Sequence, residues 1–168
     1  MKKLISCLIL SSITSIYAAN PVYIDLNGGV NTSWNALGLG FAAGYKFNRY
    51  FSLEGGLTYS PGYNYQWGGG TYSSNYWMLD AAAKGVLPLS NVFDLYAKLG
   101  IGFNNYTTSW SGCGGACNGP AYSGSNVGVL YGLGGAFHIS RNWELHLEDY
   151  TTSGPNPNFL MFGAQYNF

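Results

Sequence analysis

The chain has 168 residues, of which 8 % are charged and 47 % hydrophobic, and its seven basic and seven acidic side chains leave no formal net charge. This length suits one domain, and the scarcity of charge excludes a disordered segment and a nucleic-acid-binding protein, which carry far more. A soluble domain usually has about 25 % charged residues, so we expect that something other than water covers much of the surface.

Residues 1–19 have the pattern of a secretory signal peptide. Two lysines precede an apolar run over residues 4–10, and the small residues Ala18 and Ala19 follow. The run is short for a membrane-spanning helix, so a cleaved signal is favoured over a retained anchor. We predict a mature domain over residues 20–168, with five basic and seven acidic side chains and a net charge of −2.

Eight segments of the mature domain alternate apolar with small or polar side chains, which is the period of a strand with two unlike faces. In chain order the predicted strands cover residues 22–30, 37–47, 51–60, 77–87, 93–103, 127–139, 143–148 and 160–168. Their charged side chains all fall on the small or polar face. A soluble sheet protein would turn its charges to water. We therefore predict an all-β, eight-stranded antiparallel up-and-down transmembrane β-barrel, closed because lipid tolerates no unpaired edge.

The links between the predicted strands alternate in length. Short links cover residues 48–50, 88–91 and 140–142, and the opposite rim carries the longer links 31–36, 61–75, 104–125 and 151–157. Short periplasmic turns and long outer loops are typical of outer-membrane barrels, and an even strand number leaves both chain ends in the periplasm. Aromatic residues at strand ends fit two interfacial girdles, although aromatics favour strands generally: Phe47, Phe51, Phe93, Trp143 and Phe168 below, and Tyr59, Trp77 and Phe103 above.

Ionisable side chains on the inward face are predicted to form a network in the lumen. Its members are Glu54, Asp80, Lys84, Asp94, Lys98, His138, Glu144, His146 and Glu148. A turn centred on position 89 would pair Asp80 with Lys98. The same turn would pair Lys84 with Asp94, and a turn centred on position 141 would pair His138 with Glu144. Because an eight-stranded barrel has room only for side chains, a structural plug is favoured over a proton- or ion-conducting path.

The predicted outer loops contain no charged residue and many aromatic ones. The candidate binding aromatics are Tyr63, Tyr65, Trp67, Tyr72, Tyr106, Trp110 and Tyr122. Such residues offer flat amphipathic contacts for an extracellular glycan or a host ligand, and the alternative is an exposed loop without a dedicated partner. Cys113 and Cys117 lie in the longest loop, where a disulfide is favoured over a redox pair or a metal clip.

No catalytic, cofactor or metal site is predicted. The sequence His138-Ile139-Ser140 is similar to the histidine-x-serine pair of lipid A deacylases, but Ser140 falls in a periplasmic turn and His138 in the lumen, away from the outer leaflet. A hydrolase needs its nucleophile within hydrogen-bond reach of a base. Two histidines and two mature cysteines form no recognisable set of metal ligands.

Several segments resemble the outer-membrane protein A transmembrane domain family. They are LDAAAKG at 79–85, DLYAKLG at 94–100, FSLE at 51–54, HLE at 146–148 and the closing FGAQYNF at 162–168. The resemblance implies a bacterial outer-membrane barrel in contact with lipid, without the peptidoglycan-binding domain of full-length members. It also implies that the barrel-assembly machinery reads the last strand through Phe162, Tyr166 and Phe168.

The same resemblance implies an acid–base cluster inside the barrel. The cluster maps onto Glu54, Lys84 and His146, with Ala136 where a second acid would be expected. Residues and resemblance together predict a structural or surface-interaction (adhesion-like) protein without catalysis. The alternatives are a narrow, low-conductance channel and, less favoured, a lipid A-modifying enzyme.

Overall fold

The computed structural model describes residues 21–67, 70–112, 122–154 and 157–168, and the side chains of all of these except 63–67, 70 and 110–112. The predicted signal peptide, Cys113 and Cys117 lie outside the described residues. Eight strands make up the fold: β1 (Val22–Asn31), β2 (Ala36–Asn48), β3 (Phe51–Trp67), β4 (Gly70–Pro88), β5 (Phe93–Gly112), β6 (Tyr122–His138), β7 (Trp143–Thr152) and β8 (Asn158–Asn167).

Each strand pairs antiparallel with the next, and β8 closes the sheet on β1. The predicted eight-stranded up-and-down barrel is therefore confirmed. Within the described ranges, no helix is long and apolar enough to cross a membrane.

Strands β3 to β6 run farther toward the outer rim than predicted. Strands β3 and β4 pair up to Trp67 and Gly70, and β4 and β5 pair up to Gly112, so much of the expected loops 61–75 and 104–125 is sheet. These extensions are rich in Tyr, Thr, Ser and Trp, several of which favour strands. They lack a continuous apolar face, and for this reason the apolar alternation did not reveal them.

Wherever the structure describes them, side chains alternate between the lumen and the outer surface along the strands. Large apolar residues of the outer face, such as Leu26 and Leu99, are more than 60 % exposed, whereas Glu54 and Lys84 are buried inside. One charged residue breaks the predicted separation. Asp149 lies in β7, opposite Leu133 of β6 and Leu160 of β8, and is exposed on the outer face. The prediction of a charge-free outer face was wrong because it ended this strand at residue 148.

The register of β4 against β5 also differs from the prediction. Lys84 lies opposite Lys98 and Asp80 opposite Gly102, so neither predicted acid–base pair forms across this ladder. The turn is centred on position 91, two residues later than assumed. There Ser90 Oγ accepts hydrogen bonds from the backbone N–H groups of Val92 and Phe93, at 3.2 and 3.0 Å. The predicted pairing of His138 with Glu144 is confirmed.

The inside of the barrel is divided by height. Toward the outer rim lies a layer of large, buried apolar and aromatic side chains, which we call the outer apolar layer: Tyr76, Met78, Leu130, Tyr150, Phe159 and Met161. Below it lies the central charge layer, formed by Glu54, Lys84, Lys98 and Glu148 with the rings of Tyr23 and Tyr96. Below that, a cavity of about 360 Å³ opens at the periplasmic rim.

Candidate functional site

Lys98 is the centre of the central charge layer. Its Nζ lies 2.6 Å from Glu54 Oε1 and 2.7 Å from Glu148 Oε2. Lys98 is on β5, Glu54 on β3 and Glu148 on β7, so the three side chains meet across the lumen rather than along one ladder. Both carboxylates are at most 3 % exposed. Because a buried charge is costly without its partner, this arrangement links β3, β5 and β7 across the lumen.

Two tyrosines complete the coordination of these carboxylates. Tyr23 donates its hydroxyl hydrogen to Glu54 Oε2 at 2.8 Å, and Tyr96 donates to Glu148 Oε2 at 3.0 Å. Each ring lies over a glycine of the neighbouring strand: a Cβ at Gly44 would overlap the ring of Tyr23, and one at Gly134 that of Tyr96. The glycines of the inward face therefore provide space for the aromatic rings.

Lys84 enters this layer through ring contacts. Its Nζ lies 4.0 Å from the centroid of the Tyr96 ring and 5.8 Å from that of Tyr23, distances at which the ring faces attract a cation. No ion pair within 4.0 Å joins Lys84 to a carboxylate of the described residues. The predicted contact between Lys84 and Asp94 is thus wrong, since the two-residue shift in register separates them.

His146 does not share a hydrogen bond or an ion pair with the lysines. It faces Asp25 of β1 at 3.5 Å between Nε2 and Oδ2, and both side chains are buried. Neither ring nitrogen and neither carboxylate oxygen has a hydrogen-bond partner among the described residues. Sequence reasoning missed Asp25 as a member of the network, although its parity with Asn27 in the first strand placed it on the inward face.

The periplasmic cavity holds a second group of charges. His138 contacts Asp94 through Nε2 at 2.9 Å and Glu144 through Nδ1 at 3.5 Å. Lys46 reaches the same Glu144 oxygen at 3.7 Å. Asp80 lies higher, beside a small cavity of about 20 Å³ that Glu54 and Lys98 also line. The nine predicted lumen residues therefore all face inward, but in separate groups rather than in one network.

The outer apolar layer closes the lumen above the charges. Phe159 stacks on Tyr150 with ring centroids 5.4 Å apart and lies 5.7 Å from Tyr76. The Tyr150 hydroxyl is hydrogen-bonded to Thr58 at 2.8 Å, and Tyr76 donates to Asn104. Sequence reasoning missed this layer, because on β8 the inward Phe159 and Met161 alternate with outward Leu160 and Phe162, and both faces are apolar.

Above that layer a cavity of about 440 Å³ opens to the outside. Among its described lining residues none is charged: Thr32, Ser33, Trp34, Asn35, Tyr72, Ser74, Asn75, Tyr106 and Thr108. Three aromatic rings, two amides and several hydroxyls thus face one space. We call this the outer-rim pocket. Pockets with a few placed polar groups among aromatic side chains are the usual form of a small-molecule site.

The β1–β2 turn that carries Trp34 is held in place from several directions. The Ser33 N–H donates to Asn31 Oδ1 at 3.2 Å, and Asn35 has φ 50°, a left-handed conformation that asparagine tolerates. The Asn158 N–H donates to Ser33 Oγ at 3.1 Å and joins the turn to β8. Trp34 packs edge-on against Tyr76 at 5.4 Å, so its indole is positioned by the apolar layer beneath.

The structure places some of the predicted binding aromatics at the outer-rim pocket and does not describe the side chains of the others. Tyr72 and Tyr106 line the outer-rim pocket, and Tyr122 packs against Tyr106 with ring centroids 5.8 Å apart. The side chains of Tyr63, Tyr65, Trp67 and Trp110 lie outside the described part of the structure. Trp34 was missed, although the uncharged stretch Asn-Thr-Ser-Trp-Asn around it has the same composition as the predicted binding loops.

The last strand has the geometry expected of a closing strand. Phe162 and Phe168 are 57 % and 53 % exposed on the outer face. The ring of Tyr166 packs against Trp143 at 5.0 Å and against Phe168 at 5.2 Å, at the periplasmic rim. In the described ranges no group of three or more His, Cys, Asp or Glu residues is placed to hold a metal ion.

Comparison with known proteins agrees with the barrel. The profile of the outer membrane protein beta-barrel domain matches residues 11–168. The chain belongs to this family. It is a bacterial outer-membrane protein, and the likeness to the outer-membrane protein A type that the sequence indicated is confirmed. None of the curated protein sequences matches the chain significantly.

Solved structures of small outer-membrane barrels share the fold. The N-terminal β-barrel domain of Pseudomonas aeruginosa OprF is 15 % identical, with a TM-score of 0.64, over 88 % of this chain and 96 % of that one. Ail, the attachment invasion locus protein of Yersinia pestis, is 18 % identical, with a TM-score of 0.59, over 88 % and 95 %. Neisserial surface protein A is 11 % identical, with a TM-score of 0.62, over 88 % and 94 %.

Proposed function

We propose that this barrel is a non-catalytic surface protein that binds a neutral glycan in the outer-rim pocket. The observation that carries the proposal is the uncharged cavity of about 440 Å³ in which Trp34, Tyr72 and Tyr106 face the amides of Asn35 and Asn75. The C–H faces of a sugar pack on aromatic rings, and its hydroxyls pair with amides and hydroxyls. The pocket supplies both kinds of contact at the extracellular end.

The neutrality of the pocket argues for an uncharged sugar. Ail has been solved in complex with the heparin analogue sucrose octasulfate, which is a polyanion. No Lys or Arg lines the outer-rim pocket among the described residues, so a sulfated ligand would find no cation there. Sugar hydroxyls and amides hydrogen-bond without any such partner.

The lumen supports a structural rather than a conducting role. The outer apolar layer separates the outer-rim pocket from the small central cavity, and Tyr76, Phe159 and Met161 in it are 0 % exposed. Lys98 and its two carboxylates fill the next level. A channel would need both levels to open at once, and planar-bilayer recordings that showed steady conductance of the wild-type protein would favour the channel alternative.

The placement of polar groups also supports a role without catalysis. Ser140 Oγ accepts backbone hydrogen bonds from Asn142 and Trp143, at 3.3 and 3.1 Å, within a periplasmic turn. Both nitrogens of His138 face carboxylates. Neither residue is near the outer leaflet, where lipid A lies. Hydrolysis of radiolabelled lipid A by the purified protein would contradict this part of the proposal.

A glycan array followed by calorimetry tests the proposed ligand class. We expect the folded protein to bind neutral oligosaccharides in preference to sulfated ones, and Trp34→Ala to weaken that binding at least tenfold, about 1.4 kcal/mol. Trp143→Ala is the matched control, because it removes an indole at the periplasmic rim and should leave binding intact. Preference for sulfated glycans, or equal binding by wild type and Trp34→Ala, would overturn the assignment.

We propose that the chain is cleaved after residue 19, that Cys113 and Cys117 form a disulfide, and that the assembly machinery reads Phe162, Tyr166 and Phe168. Mass spectrometry of protein taken from outer membranes tests the first two together, since it reports the N-terminus and the number of free thiols. Truncation of Phe168 tests the third through the amount of heat-modifiable barrel.

A further inference from the structure

The outer face of the barrel carries one carboxylate where lipid is expected. Asp149 is exposed on β7, six residues beyond Trp143 at the periplasmic rim. A tilted strand rises roughly 2.5 Å per residue along the membrane normal, so Asp149 lies about 15 Å above that tryptophan in an apolar band about 25 Å tall. This places the carboxylate near the middle of the bilayer.

The nearest neighbours of Asp149 are leucines, and no residue that the structure describes is its partner. Leu133 and Leu160 lie directly opposite on the adjacent strands, and Leu147 precedes it on the same face. Leu133 is 70 % exposed and Leu147 52 %. No hydrogen bond or ion pair joins Asp149 to another described residue. Ionisable groups at this depth are rare and mark contacts with a partner or a pathway.

A donor lies on the same outer face. Tyr131 is 52 % exposed on β6, two residues beyond Leu133 toward the outer rim. It lies opposite Thr151, whose hydroxyl donates to the Pro157 carbonyl at 3.0 Å. The hydroxyl of Tyr131 has no hydrogen-bond partner among the described residues. Within the described residues, one patch of the barrel thus presents an acceptor and a donor side by side, neither of which has a hydrogen-bond partner.

We infer that this patch is the interface of a homodimer, in which Tyr131 of each copy donates to Asp149 of the other. All copies of the chain have the same orientation and depth in the membrane. A two-fold axis along the membrane normal therefore brings the patch against itself, and such an isologous contact pairs residue i with j and j with i. Leu133 and Leu147 surround the two hydrogen bonds and separate them from the lipid acyl chains.

A second copy fits this patch better than lipid does. Acyl chains offer no hydrogen-bond donor at that depth. A carboxylate in the bilayer core therefore has to find its donor in protein. The donor that the patch itself carries satisfies the acceptor in both copies at once. This inference does not depend on the proposed glycan site, which is at the outer rim and remains accessible in a dimer.

Sedimentation equilibrium in a density-matched detergent tests the dimer with protein purified from outer membranes. We expect a reversible monomer–dimer equilibrium for wild type, at least tenfold weaker in Asp149→Leu. Tyr131→Phe should weaken it as well, and the double variant no further than Asp149→Leu alone, because both changes remove the same contact. Leu53→Ala on β3, across the barrel, is the matched control and should dimerise normally.

Heat-modifiable migration shows that each variant is folded. A wild-type protein that remains monomeric at all accessible concentrations would overturn the inference. So would a dimer that Asp149→Leu leaves unchanged, since lipid or another face would then hold the copies together.

Discussion

The outer apolar layer and the central charge layer fill the same narrow lumen by different physical means. In the first, Phe159, Tyr150 and Tyr76 stack at centroid distances of 5.4 and 5.7 Å. In the second, Lys98 lies between Glu54 and Glu148 at 2.6 and 2.7 Å. The apolar layer depends on packing, where each lost group leaves a cavity. The charge layer depends on compensation, where each lost partner leaves an uncompensated charge.

This difference means that the two layers should respond differently to substitution. A packed layer tolerates a change of similar volume and loses stability in proportion to the atoms removed. A charge layer tolerates the replacement of all its members together better than the loss of one. The layers are also in contact, because Lys98 Nζ lies 5.8 Å from the centroid of the Tyr150 ring.

Lys98→Met should produce the largest loss of stability. It keeps most of the side-chain volume but leaves Glu54 and Glu148, both buried, without their cation. We expect the free energy of unfolding to fall by about 4 kcal/mol, measured by urea denaturation of the barrel folded into liposomes. The triple variant Glu54→Gln, Lys98→Met, Glu148→Gln should recover most of that loss. A triple variant no more stable than Lys98→Met would show that packing, not charge compensation, holds this layer.

Phe159→Ala should have the next largest effect. The ring is 0 % exposed and touches both Tyr76 and Tyr150, so we expect a loss of about 3 kcal/mol in the same assay. Phe159→Leu, which preserves most of the volume, should lose less. Conductance in planar bilayers should stay at the wild-type level, because the central charge layer still blocks the lumen. A conducting Phe159→Ala barrel would show that the apolar layer alone closes it.

Lys84→Ala should cost less than either change. Lys84 has ring contacts instead of an ion pair, with its Nζ 4.0 Å from the centroid of the Tyr96 ring. We expect the free energy of unfolding to fall by about 1–2 kcal/mol. Lys84→Met retains the aliphatic stem and so separates the cation–ring contribution from packing. An unfolding midpoint that neither substitution moves would exclude Lys84 from the structural plug.

Sequence alone predicted the charge layer far better than the apolar layer. A charge inside an alternating segment, such as Glu54 or Lys98, identifies the inward face because lipid would exclude it. Large apolar side chains carry no such label. Phe159 and Met161 face the lumen beside lipid-facing Leu160 and Phe162, and only the closed barrel shows which pair has partners inside.

The alternation of side chains shows which ionisable groups face the lumen, but it does not show which of them are in contact. Glu54, Lys98 and Glu148 lie on three strands that are not adjacent, and only the closure of the barrel brings them together. Asp149 illustrates a different failure. Its parity with Trp143 and Leu147 places it outward, but the predicted strand ended at residue 148 and did not include it. The alternation along β7 is regular, and Asp149 is the residue whose charge departs from it.

The missed register of β4 and β5 has a cause that the sequence does contain. All three described periplasmic turns place an aromatic residue three positions after a short polar one: Asn48 before Phe51, Ser90 before Phe93, and Ser140 before Trp143. In each, the polar side chain accepts a backbone hydrogen bond from within the turn. Centring a turn one residue after the polar position reproduces the observed centres 91 and 141, and 49 for the β2–β3 ladder up to the register shift between Lys46 and Asn48.

Ser90→Ala should have the smallest effect among these changes and tests how the turn holds the layers in register. The β4–β5 ladder places Lys84 opposite Lys98 and Met78 opposite Asn104, so it fixes which β4 residues enter which layer. Loss of the Ser90 Oγ acceptor should lower the free energy of unfolding by about 1 kcal/mol, and Ser140→Ala should do the same for β6–β7.

Asn91→Ala is the matched control, because no hydrogen bond of its side chain within the described structure would be lost. If Ser90→Ala and Asn91→Ala were equally stable, the serine would not hold the turn. The register would then have to come from contacts inside the lumen, where Lys98 pairs with Glu54 and Lys84 lies over the Tyr96 ring.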